Sequence, residues 1–101
     1  MLREMFLATV ALSPAHVVRD TLLGVPEVEQ VYIWATGDCR LTVLTVIAEK
    51  DYVAQEQIFR AEAEIINALP GMEIGFDLVI REGRQLNELI SPRGTLLFAR
   101  A

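Results

Sequence analysis

The chain has 101 residues, 52% of them hydrophobic, and a formal net charge of −5. This length predicts a single domain over residues 1–101. The acidic balance argues against nucleic-acid binding, because phosphate contacts draw their affinity from clustered Lys and Arg. No apolar run approaches the length of a membrane-spanning helix, so no membrane association is expected.

The composition also limits the chemistry. A domain this small has too little interior for so many apolar residues, and the surplus predicts a homodimer or another homo-oligomer. The one cysteine, Cys39, excludes an internal disulfide and predicts a reducing, cytoplasmic location. With one histidine, His16, and six scattered glycines there is no zinc-type cluster and no phosphate loop. We therefore predict no catalytic, metal-binding or cofactor-binding residue.

The first half of the chain predicts a hairpin preceded by a helix. Residues 5–12 are a strand or a helix, and the strand is favoured. Ser13 and Pro14 predict a helix start, and Gly24 predicts its end. Residues 28–35 and 40–48 read as two strands that form an antiparallel hairpin about the turn at residues 36–38. Because residues 41–47 are almost continuously apolar, the second strand is predicted to be central.

The second half adds one long helix and a further strand. Asp51 predicts the start of a helix over residues 52–69, which Pro70 and Gly71 end. Residues 73–80 alternate as a strand with one apolar face. A short helix over 85–90, a turn at 91–94 and a strand over 95–99 follow. The predicted fold is an α/β (α+β) two-layer sandwich in the ferredoxin-like βαββαβ order, with an extra C-terminal short helix and strand. If residues 5–12 are helical, the order begins ααββαβ.

The long helix carries an apolar arc about 200° wide on a helical wheel. One stripe consists of Ala54, Ile58, Ala61, Ile65 and Leu69, and a second consists of Tyr52, Phe59 and Ile66. Gln55 and Glu62 interrupt the middle of this arc. Such a wide arc predicts contact with the sheet and with a second surface, such as another subunit.

Glu62 is the residue that departs most clearly from its surroundings. A carboxylate in an apolar arc needs a hydrogen-bonding partner or has a raised pKa. Glu62 therefore lies on a seam, where it reaches water or an arginine, or it lines a ligand pocket.

Other candidate residues lie on the strands and the C-terminal loop. Tyr32 and Trp34 share one face of the sheet, where they fill the core or form an exposed aromatic patch. The guanidinium groups of Arg81, Arg84 and Arg93 are solvated or bind an anion. The leading prediction is a non-enzymatic, self-associating interaction or regulatory domain. The alternative is a small-molecule-binding or enzymatic pocket for an anionic metabolite, which uses Glu62, Asp77 and these arginines. An acidic, antitoxin-like partner-binding protein is a further alternative.

The layout of the chain resembles that of small nucleotidyltransferase-like proteins. The resemblance rests on the strand and turn at residues 28–37, the second strand and long helix that follow, the strand ending Phe76-Asp77-Leu78-Val79 and the closing residues 94–98. The resemblance implies that a Gly-Ser pair after the first strand and an Asp-x-Asp on the second hold metal and triphosphate. This chain has Ala35-Thr36-Gly37 at the first place. It has no carboxylate in residues 41–45 at the second. The resemblance therefore implies a member that has lost catalysis.

Overall fold

The computed structural model describes residues 13–90 and 93–100. The element predicted at residues 5–12 lies outside the described residues, as do two residues of the turn predicted at 91–94. The described elements are α1 (Pro14–Leu23), β1 (Val28–Gly37), β2 (Arg40–Ile47), α2 (Tyr52–Ala68), β3 (Glu73–Ile80), α3 (Leu86–Leu89) and β4 (Thr95–Ala99). Each helix and strand predicted within these ranges is present, and the fold is α+β.

The four strands form one mixed sheet in the order β3-β2-β1-β4. β1 pairs antiparallel with β2 and with β4, and β2 pairs parallel with β3. β2 therefore has a partner strand on both edges, and its residues 43–47 are all buried. The prediction of a central β2 is confirmed.

The sheet order differs from the predicted ferredoxin-like order. In the split βαβ of that arrangement, another strand lies between the two strands that a helix connects. Here β2 and β3 pair directly, from Arg40 opposite Glu73 to Ile47 opposite Ile80, and no strand fits between them. Direct pairing gives the backbone groups of the apolar β2 hydrogen-bond partners on both edges, which a buried strand requires.

Local chemistry explains where the elements begin. The Asp51 carboxylate accepts the Ala54 N–H at 3.0 Å and so caps α2, as predicted. Ser13 makes no such side-chain bond, and α1 begins with the preformed backbone of Pro14. The hairpin turn is Asp38-Cys39 rather than residues 36–38, with Cys39 at a φ of 57°.

Both long helices lie on one face of the sheet and share the main core with it. The fully buried side chains of this main core include Val18 and Leu22 of α1 and Ile58 and Ile65 of α2. On the other face, α3 contributes Leu86 to a smaller cluster with Leu44 and Val46 of β2. The face with α1 and α2 is called the helix face below.

Candidate interaction surface

The long helix α2 carries two apolar stripes, and only one of them is buried. The buried residues are at most 5% exposed and comprise Ala54, Ile58, Ala61 and Ile65. Tyr52, Phe59 and Ile66 are 73%, 56% and 49% exposed. These three residues repeat every seven positions, so they lie in one line along the helix, and we call them the α2 stripe. Contiguous exposed apolar side chains are frequent at the interaction sites of proteins.

The α2 stripe lies on the flank of α2 that faces away from α1. Pro14 of α1 lines a depression together with Ala68 and Leu69, so the side of α2 that carries Ala54, Ala61 and Ala68 faces α1. At about 100° per residue, the α2 stripe is roughly 150° around the helix from this side. α1 packs against β1 and β4, at the opposite end of the sheet from β3. The α2 stripe is therefore on the β3 side of the molecule.

Strand β3 continues this apolar surface into the sheet. Its helix-face side chains pack against the main core but remain half-buried, and they are Ile74, Phe76, Leu78 and Ile80. In β2, by contrast, the helix-face residues Val43 and Ile47 are buried. Both layers of the fold thus have an incompletely covered apolar surface on the same side.

Gln55 and Glu62 lie between the buried residues of α2 and the α2 stripe, and both are half-buried. Burial raises the pKa of the Glu62 carboxyl, as expected for a carboxylate in an apolar arc. Gln55 Nε2 and Thr45 Oγ1 are buried without a hydrogen-bond partner among the described residues. Gln55 and Glu62 thus form a polar seam beside the α2 stripe, and the described part of the chain leaves Gln55 Nε2 without a partner, whereas Thr45 is fully buried within β2.

Tyr32 and Trp34 lie on the face opposite the long helices, where they pack against the cluster of Leu44, Val46 and Leu86. Both aromatic residues are half-buried. The Arg93 guanidinium carbon lies 5.2 Å from the centroid of the Trp34 ring, and the Tyr32 hydroxyl donates to Gln30 Oε1 at 3.1 Å. The aromatic pair therefore forms part of a second small core, with Arg93 over its rim.

The Arg81 guanidinium forms an ion pair with the Glu29 carboxylate. Its Nε donates to Glu29 Oε1 at 2.7 Å, and its Nη2 donates to Glu29 Oε2 at 3.0 Å. Hydrogen bonding to Glu29 raises the pKa of Arg81. A third bond, from Nη1 to the Arg84 carbonyl oxygen at 2.9 Å, fixes the turn after β3. This arrangement joins β1 to the end of β3.

The structure does not bring the carboxylates of Glu62 and Asp77 together. Asp77 is exposed and alternates with Phe76 and Leu78, whose side chains are on the helix face. It therefore projects from the opposite face, whereas Glu62 belongs to α2. Arg84 is exposed in the turn that follows β3.

Arg100 is a structural residue that the sequence pattern does not reveal. Its guanidinium donates to the carbonyl oxygens of Leu23, Val25, Pro26 and Val28, at 2.6, 2.8, 2.7 and 2.8 Å. Carbonyl groups left free at a helix end are frequent acceptors for basic side chains. The acceptors lie more than 70 residues away in the chain, so no local spacing predicts the contact.

No family model matches the chain, and neither the curated proteins nor the solved structures that were searched contain a match. The resemblance to nucleotidyltransferase-like proteins therefore stays a prediction. Residues 13–90 and 93–100 contain no group of three or more His, Cys, Asp or Glu side chains placed to hold a metal ion. Within the same ranges, no helix is long and apolar enough to cross a membrane.

Proposed function

We propose that this chain is a non-enzymatic domain that forms a homodimer through the α2 stripe. The observation that carries the proposal is the exposure of Tyr52, Phe59 and Ile66 in one line along α2. Removing apolar surface from water stabilises an association by about 25 cal/mol per Å². A two-fold axis brings the same line of residues on two copies together.

The two aromatic residues of the α2 stripe supply part of the area that a specific interface needs. An aromatic side chain presents about 200 Å² of surface, so the exposed fractions of Tyr52 and Phe59, 73% and 56%, leave roughly 250 Å² per copy. Two copies then contribute roughly 500 Å² from these residues alone, and stable interfaces bury about 1,200–2,000 Å² in total. The remaining interface area is available from three sources: Ile66, the half-buried face of β3, and the seam that contains Gln55 and Glu62.

The other hypotheses have weaker support. A pocket built from Glu62 and Asp77 conflicts with their positions on opposite sides of the sheet. An antitoxin-like partner role depends only on the net charge of −5. Cys39 is free and exposed, which agrees with the proposed cytoplasmic location.

The test is sedimentation velocity over a concentration series, with two variants of α2. We expect the wild type to sediment as a dimer, and Phe59→Glu to sediment as a monomer at the same concentration. Gln57→Glu is the matched control, because it adds the same charge at an exposed position off the stripe and is expected to stay dimeric. Circular dichroism checks that both variants fold. A wild type that stays monomeric at high micromolar concentration would contradict the proposal.

A further inference from the structure

Strand β3 has one open edge within the described part of the chain, since it pairs only with β2. The Glu73 N–H donates to the Cys39 carbonyl at 2.8 Å, and the Arg81 N–H donates to the Ile47 carbonyl at 3.0 Å. Both donors are at odd-numbered positions, and the pairing between them has no bulge. Because backbone groups alternate along a strand, the N–H groups of Ile74, Phe76, Leu78 and Ile80 point to the open edge.

The two edges of the sheet differ in how well they are protected against pairing. β4 has 5 residues and a register shift opposite Val31 and Tyr32, and short or bulged edges resist the addition of a strand. β3 has 8 residues, is regular, and contains no proline, lysine or arginine, and its charged residues, Glu73 and Asp77, are at the odd-numbered positions of the face opposite α2. Of the two, β3 is the edge suited to pairing with another strand.

We propose that the open edge of β3 pairs antiparallel with the β3 edge of a second copy of this chain. The two four-stranded sheets then join into one continuous sheet beneath the paired α2 stripes. This inference rests on the proposed homodimer and identifies its second contact. The α2 stripe and the open edge of β3 are on the same side of the molecule. A single two-fold axis can therefore pair the two α2 stripes and the two β3 edges at once.

Charge excludes one register of this pairing. If Asp77 lay opposite the partner's Asp77, two like charges would face each other in a non-hydrogen-bonded pair, where side chains are closest. If Phe76 lies opposite the partner's Phe76, Asp77 instead faces the partner's Gly75, which has no side chain. In this register Ile74 lies opposite the partner's Leu78. The edge-facing N–H groups of Ile74, Phe76 and Leu78 are then all bonded, so this register pairs the edge without bringing the two Asp77 side chains together.

Residue-resolved amide exchange by NMR tests the pairing on the wild type and on Phe59→Glu at equal concentration, with the oligomeric state of each sample measured by sedimentation. An amide that exchanges only from the monomer slows on the order of tenfold when about 90% of the protein is dimeric. We expect this slowing in the wild type for the Phe76 and Leu78 amides. The amides of Gly75 and Asp77, which point to β2, are the internal control and are expected to exchange equally slowly in both samples.

Each other outcome overturns the pairing in a different way. If the wild type is dimeric but the Phe76 and Leu78 amides exchange as fast as in Phe59→Glu, the dimer uses the helices alone and the proposed function stands. If these amides are equally slow in monomeric Phe59→Glu, the edge is covered within one chain, for which residues 1–12 are the available segment. If the wild type is monomeric in the sedimentation runs, the proposed function and the pairing both fail.

Discussion

The guanidinium of Arg100 donates to the carbonyl oxygen of Leu23 at 2.6 Å, at the last residue of α1. α1 has no basic residue of its own in its last turn, where the helix dipole favours a positive charge. Arg100 supplies that charge from beyond the end of β4, and its guanidinium carbon lies 5.3 Å from the centroid of the Phe98 ring. One side chain thus connects the end of the last strand to the end of the first described helix.

Replacing Arg100 with Met should lower the free energy of unfolding by about 2 kcal/mol, because hydrogen bonds from a charged donor contribute about 1.5–3 kcal/mol and partial exposure lets water replace some of them. Urea unfolding followed by circular dichroism measures the change. Arg60→Met is the control, since the exposed Arg60–Glu56 pair on α2 contributes only about 0.5 kcal/mol. Equal losses in the two variants would show that the Arg100 contacts contribute no more than a surface pair.

The sequence predicts those features of the fold that depend on local periodicity. The alternation in β3 and the continuous apolar run of β2 identify a one-sided and a central strand, because side chains in a strand alternate between its two faces. The arc on α2 predicts a surface wider than the sheet alone can cover, and the exposed α2 stripe accounts for that width. Asp51 marks the start of α2 because an N-cap acts within three residues.

Features that depend on distant partners are not predictable from these patterns. The direct parallel pairing of β2 with β3 replaces the ferredoxin-like order, and periodicity carries no information on which strand lies beside which. Glu29 holds Arg81 from 52 positions away, so the arginine looks free in the sequence. Alternation places Asp77 on one face of β3, but only the packing shows that this face is opposite α2.

Gly94 is a position where a side chain meets both strain and a steric clash. Its φ is +80°, and an added Cβ would contact the Ile33 carbonyl oxygen and lie 2.7 Å from the Trp34 Cβ. Gly71 has a similar φ of +86° but no neighbour within 4 Å of an added Cβ. A positive φ alone costs an alanine about 1–2 kcal/mol, and overpacking adds typically 1–3 kcal/mol.

Gly94→Ala should therefore destabilise the domain by about 1–3 kcal/mol more than Gly71→Ala does. The difference between the two free energies of unfolding, measured with urea, isolates the clash from the backbone strain that both variants share. Intrinsic fluorescence of Trp34 reports the same change, because its side chain is next to the substituted position. Equal losses of unfolding free energy in the two variants would mean that β1 moves away from the added methyl group without an energetic cost.

Glu62→Gln should stabilise the domain at neutral pH. The pKa of Glu62 is raised above its ordinary value of 4.5 by burial of the carboxylate. Between the unfolded and the folded pKa, the folded state therefore binds more protons than the unfolded state, and stability falls as pH rises. The cost of the buried charge is complete above the folded pKa and disappears as the pH falls through it to the unfolded value.

The measurement is urea unfolding from pH 4 to pH 8 with and without Glu62→Gln, both in the Phe59→Glu background at one protein concentration, because association would add to the apparent stability. We expect the advantage of Glu62→Gln to be largest at pH 8 and to vanish at the acidic end. Glu64→Gln is the control, because Glu64 is exposed on the same helix and should show no such pH-dependent gain. An advantage that does not change with pH would mean that the amide makes a contact of its own, and that burial of the Glu62 charge is not the cause.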